Sequence, residues 1–181
     1  RVVHHLVYNR LRPRFEPQWI ATTFACIKDR GTTGASDWAE KAARKVTRGW
    51  SQKAFVLQLD IRNFFPSINR SHLHDLLMPA CHEPWVRHLV NEVVNVDVRD
   101  NAHFPGNAAL IEQIPAHKSL WNARPGFGLP IGNLTSQFGA NVYLSAMDQR
   151  IVRSGVARHY GRYVDDIVLM DADIDRLREA Y

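Results

Sequence analysis

Apolar residues recur with a helical period in several stretches of the chain. In residues 2–12 (VVHHLVYNRLR), Val3, Leu6, Val7 and Leu11 fall on one face, which predicts a helix. Pro13 predicts its end, because proline has no N–H to continue the ladder. A second helix is predicted from Asp37 to Arg48, with Ala39, Ala42, Ala43 and Val46 as its stripe and Lys41, Arg44, Lys45 and Arg48 as its solvated face. Gly49 would end it. Between these helices, residues 21–34 are rich in Thr and Gly and read as a loop or a short hairpin.

The period then changes. Ala54 to Ile61 (AFVLQLDI) reads as a strand, with Asp60 near its C-terminal end. Helices follow at Ser71–Leu77, where Ser71 could serve as N-cap, and at Trp85–Val96. Residues 100–127 hold three prolines and three asparagines and read as a long irregular connection, part of a wider linking stretch at about 97–127. Leu134, Phe138 and Val142 recur every four residues after Gly132 and predict a helix to about Arg150, capped by Thr135 or Ser136. Two short strands, Ala157–Val164 and Ile167–Met170, enclose Asp165-Asp166, which predicts a β-hairpin turning on those two residues.

Composition narrows the class. Hydrophobic residues make up 45% of the 181, enough for a packed interior. The formal net charge of +5 fits a polyanionic partner without proving one, and on charge alone an ordinary basic protein is the plainer reading. Cys26 and Cys81 stand outside any CxxC pair, so neither a zinc site nor a disulfide framework has support. No apolar run approaches the roughly 20 residues of a membrane span, and no signal peptide is visible. The chain opens on Arg1 rather than Met and closes at Tyr181 in a charged, helix-like stretch, so it reads as a fragment.

The chemistry concentrates in three aspartates. Asp60 ends a rigid strand, and Asp165 and Asp166 sit at a hairpin. Asp is also a common turn residue, so the pair alone is ambiguous. Three converging carboxylates repel unless a cation sits among them. Mg²⁺ suits such a donor set, since it prefers oxygen ligands and is often shared with substrate phosphates.

Four segments, in order, resemble reverse transcriptases. Leu59 to Ile68 (LDIRNFFPSI) is similar to the first palm motif, Gly128 to Gln137 (GLPIGNLTSQ) to the second, and Tyr163 to Asp166 (YVDD) to the YxDD signature. Upstream, RVVHH and ACIKDRGT resemble the fingers. Most family members carry Gln before the second motif's glycine, and many carry Ser-Pro after it. Here Ile131 and Ser136-Gln137 replace them. This form resembles the reverse transcriptases of diversity-generating retroelements, which copy a template RNA into cDNA with frequent errors at adenines. Group II intron and retron or defence-type enzymes are the related alternatives. An alternative of another class is a polymerase-like nucleic-acid-binding module without templated activity.

The resemblance implies an α+β fold: an antiparallel palm sheet backed by helices over 54–181, partial fingers over 1–53, and no thumb. It implies an RNA-directed DNA polymerase using two Mg²⁺ ions, with Mn²⁺ as a substitute, on an RNA template, a DNA or RNA primer and dNTPs. A small basic accessory protein and a cytoplasmic setting in a bacterial, phage or other mobile-element context are further implications. Asp60 and Asp165 would be the main metal ligands and Asp166 a weaker one, with the Ile61 carbonyl beside them. Phe65 would exclude the ribose 2′-hydroxyl. Arg1, Lys28 and Arg30 would be candidates for the triphosphate. Pro130, Ile131 and Gly132 would shape the nucleotide site, Ser136 and Gln137 would face the template, and Tyr163 would lie beneath the primer end. His159 and Arg162 are candidates for the primer backbone, with a solvated edge strand as the plain alternative.

Overall fold

The computed structural model describes residues 1–100, 113–115 and 119–180. Most of the connection expected at 100–127, and Tyr181, therefore lie outside the described residues. The fold is mixed α+β, with a small antiparallel sheet. Its elements are α1 (Val2–Phe15), α2 (Gly31–Val46), β1 (Phe55–Asp60), α3 (Phe64–Ser67), α4 (Arg70–Leu77), α5 (Pro84–Asn95), α6 (Leu134–Ser154), β2 (His159–Tyr163), β3 (Asp166–Asp171) and α7 (Ile174–Glu179). Two compact units interleave in sequence, one from 1–14 with 62–143 and one from 15–61 with 144–181. The boundary expected after residue 53 falls inside the second unit.

In the first unit, Val7 and Leu11 of α1 are buried, and Tyr8 meets Phe138 edge-on at 5.6 Å. The expected stop at Pro13 does not occur, and α1 runs on to Phe15. Proline there removes one bond to the carbonyl of Asn9, an exposed residue in the helix's second half, so the loss is tolerated. The N-cap of α4 is Asn69 rather than Ser71: the Asn69 side chain accepts from the His72 N–H at 3.1 Å. Leu73 and Leu77 of α4 and Val86, Val90 and Val94 of α5 are buried at i, i+4 spacing. Gly139 of α6 lies so close to Leu73 that an added Cβ would stand 2.9 Å from its Cδ2.

The second unit holds the sheet, in the order β1-β3-β2, all antiparallel. Strict alternation separates its faces. Tyr160, Ile167 and Leu169 pack with Leu177 of α7 and with Met147 and Ile151 of α6. Val168 and Met170 pack with Trp38, Ala42 and Val46 of α2. Gly161 is required here, since a Cβ would stand 2.5 Å from the Trp38 ring. Helix α2 starts at Gly31, six residues before the expected Asp37, so the predicted loop or hairpin ends earlier. Its first turn includes Gly31, Thr32, Thr33 and Gly34, residues of low helix propensity, and Gly34 lies against the Phe24 ring.

Candidate functional site

The hairpin register decides which carboxylates meet. Tyr163 pairs with Asp166, so the two-residue turn is Val164-Asp165 and not the expected Asp165-Asp166. On its other side Asp166 pairs with Asp60. Directly opposed residues project to the same face, so Tyr163, Asp166 and Asp60 form one row across three strands. Like charges directly opposite are destabilising in a sheet. Asp60 and Asp166 are exposed, and Asp165 is half-buried.

Asp165 is fixed from β1. Its carbonyl accepts the Ile61 N–H at 3.3 Å, so the turn is tied to the residue that follows Asp60. Burial, foremost, and the charges of Asp60 and Asp166 push the Asp165 carboxyl above its ordinary range, against an opposing pull from a backbone hydrogen bond and from Arg162. Among the described residues none of the three aspartates forms an ion pair, although Asp97, Asp148, Asp171 and Asp175 all do. No three His, Cys, Asp or Glu side chains among the described residues already enclose a metal position. The donor set fits a hard dication in its chemistry, being all oxygen and, among the described residues, without an ion pair. In its present arrangement it forms an open row rather than a closed cage.

The turn is built at a cost. Val164 has φ +56°, a left-handed conformation that a β-branched residue rarely adopts. Such a residue costs on the order of 1–3 kcal/mol and persists only where its surroundings hold it. Arg162 does so. Its Nε and Nη2 donate to the two carboxylate oxygens of Asp148 at 2.8 and 2.6 Å, and its Nη1 donates to the Val164 carbonyl at 2.7 Å. The Tyr160 hydroxyl adds a 2.5 Å bond to Asp148, and the Thr23 hydroxyl a long one at 3.4 Å. Arg162 is 1% exposed, so it is neither a primer-backbone contact nor part of a solvated edge strand. The outer edge of β2 is occupied as well: Arg162 N–H donates to the Thr22 carbonyl, and Phe24 N–H donates to the Arg162 carbonyl, each at 3.0 Å.

Asp148 is the residue that sequence reasoning missed, and Arg162, expected as a surface contact, is instead its buried partner. A signal was present, because Asp148 sits in the apolar helical series Leu144, Met147, Ile151, where a solvated acid does not belong. The cationic candidates nearby differ in kind. Lys28 is exposed in a turn beside Asp29, whose φ is +65°. Arg30 spends Nη1 on the carbonyls of Ile20 and Thr23, at 3.3 and 2.7 Å, and so braces its own loop.

The remaining candidates lie in the first unit. Arg1 and Gly132 line a cavity of about 340 Å³ together with His4, His5, Asn133 and Leu134. Gly132 has φ +99° with open space around it, and Ile131 beside it is 76% exposed. Pro130 is half-buried, Gln137 is exposed and Ser136 is buried, so of the last two only Gln137 offers its side chain outward. His4 Nδ1 is 2.5 Å from the Thr135 hydroxyl and links α1 to the first turn of α6. Phe65 is half-buried against Phe64, and its carbonyl accepts the Leu129 N–H at 3.0 Å, which joins the first and second motif segments. Comparison with protein-family models gives no match, and comparison with curated proteins gives none either. Among the described residues, no helix is long and apolar enough to cross a membrane.

Proposed function

We propose that this chain is the catalytic core of an RNA-directed DNA polymerase, of the kind found in diversity-generating retroelements. The observation that carries the reading is the row of Asp60 and Asp166, opposed in register with Asp165 at the adjoining turn and with no ion pair to neutralise any of them. Side chains so arranged raise the free energy of the fold unless a cation is to be gathered there. The ordered motif segments say which cation chemistry: Asp60, Asp165 and Asp166 would hold Mg²⁺, or Mn²⁺ in its place. When bound, a pair of such ions supplies charge neutralisation at the attacking 3′-hydroxyl and at the leaving pyrophosphate.

The chain's own residues then have separate tasks. Asp165, whose carboxyl is pushed up by burial and by its acidic neighbours, takes its charged form most readily once a cation offsets them. Tyr163, in the same row, offers an aromatic face beside the carboxylates. Phe65 would exclude a 2′-hydroxyl and so select dNTPs. Arg1 would bind the triphosphate from the cavity it shares with Gly132. Ile131 can pack against a base pair but cannot hydrogen-bond to it, and the loss of such a polar check is worth ~1–3 kcal/mol in discrimination. On this reading Ile131→Gln narrows the error spectrum, and an unchanged spectrum in sequenced cDNA removes Ile131 from the account.

The primary test is primer extension by the full-length protein on an RNA template with dNTPs and Mg²⁺. Asp165→Asn should abolish it. No extension from a DNA primer or from self-primed RNA, by folded protein that binds RNA, would favour the binding-module reading instead.

A further inference from the structure

We infer that Arg162 and Asp148 form a lock that sets the metal-binding turn, with Arg162 as a positioning residue for Asp165. This rests on the polymerase reading and names a part of that site which the motif segments do not supply. The peptide plane between Val164 and Asp165 is held in place by its carbonyl. A peptide unit is rigid, so fixing the Val164 carbonyl also fixes the direction in which the chain enters Asp165. That carbonyl accepts from Arg162 Nη1 at 2.7 Å. The far side of Asp165 is fixed too, since its own carbonyl accepts the Ile61 N–H at 3.3 Å. Asp165 is therefore clamped at both of its peptides, once from within the hairpin and once from the strand that carries Asp60.

The guanidinium can hold the turn because it is itself immobile. Its other two nitrogens bind both oxygens of Asp148, and the side chains of the pair are 0% and 2% exposed. Tyr160 bonds to the same carboxylate, and the backbone of Arg162 is held on its outer edge by Thr22 and Phe24. The left-handed Val164 is the conformation this lock maintains. A lysine at position 162 would keep the charge but not the planar fork, so it could not serve the carboxylate and the turn together. Groups that orient a metal's ligands without touching the metal typically change affinity by about 10–100-fold when lost.

The test uses the full-length protein and three variants: Arg162→Lys, the milder Asp148→Asn, and the double variant Arg162→Lys/Val164→Gly. Mn²⁺ affinity is measured by titration, backbone amide exchange is measured around Asp165 without metal, and circular dichroism verifies the fold. Arg162→Lys should weaken Mn²⁺ binding at least about tenfold and speed exchange at the Asp165 and Asp166 amides. Glycine at position 164 adopts the left-handed conformation without needing to be held, so the double variant should regain part of the affinity. Asp148→Asn should act in the same direction as Arg162→Lys, and it carries the test if the lysine variant does not fold. A folded Arg162→Lys or Asp148→Asn protein that binds Mn²⁺ as tightly as wild type overturns the lock alone. A wild-type protein that binds no Mn²⁺ overturns the polymerase reading, and with it the role assigned here.

Discussion

Asp97 and Asp165 are both held in loops, yet they are treated in opposite ways. Asp97 in the first unit accepts from Arg99 Nε at 2.8 Å and from Arg70 Nη2 at 2.9 Å, and its carboxyl lies well below the usual range, chiefly through its bonds to Arg99. The same arginines reach the carbonyls of Val96 and Ala123, so this carboxylate knots two loop segments together. Asp165 in the second unit has acids for neighbours and a carboxyl pushed upward. A carboxylate surrounded by donors serves the fold; one left among other acids does not, and on the proposed polymerase reading Asp165 is kept for a metal ion.

That contrast can be broken experimentally, most sharply by activity. Asp60→Asn should cut primer extension on the order of 10³-fold, as expected when a ligand of the reacting groups is lost, while Asp97→Asn leaves the rate per folded molecule nearly unchanged. Equal losses from the two variants, measured by single-turnover extension, would erase the distinction. Stability should respond the other way. Asp97→Asn removes charge-assisted bonds to two arginines and should cost about 2 kcal/mol in urea unfolding, where Asp60→Asn costs nothing. Adding Mg²⁺ at ten times its dissociation constant should raise the melting temperature of the wild type by about 4 °C and leave Asp165→Asn unmoved.

The smallest expected effect is a pH dependence with a definite sign. The folded-state pKa of Asp165 lies above its unfolded value, so ionising this group opposes folding. Stability from this group is fully present below the ordinary carboxylate value and is lost as pH rises through the raised one. Without metal, Asp165→Asn should therefore be more stable than wild type at neutral pH, and the advantage should vanish in acid. An advantage that grows on acidification would mean that Asp165 is stabilised by an unseen donor.

Strand β1 was readable from sequence, since FVLQLD is a mostly apolar run whose burial alternates; HYGRY shows no such alternation, and β2 was legible only from its place beside the aspartate turn. The hairpin turn was not readable to the residue, since Val164 is a poor turn former and only the pairing of Tyr163 with Asp166 reveals that it occupies one of the two turn positions. The start of α2 was obscured by its threonines and glycines, of which Gly34 lies against Phe24, a residue outside the helix. Pro13 misled in the opposite direction, because its penalty depends on where in the helix it falls. The three aspartates were visible through the order of the motif segments. Arg162 reads as a surface cation, because a charge is ordinarily a mark of the surface, and its burial against Asp148 follows from tertiary structure, although the apolar helical series around Asp148 marks that acid as out of place.

Gly161 gives this arrangement a built-in optical reporter. The Trp38 ring rests where a methyl group would have to be, two residues before Tyr163 on the same face of the hairpin strand. Any displacement of the strand against α2 changes the environment of that indole. In a protein whose other tryptophans are replaced by phenylalanine, the emission of Trp38 would follow the seating of the hairpin in real time, without a label and before any chemistry occurs.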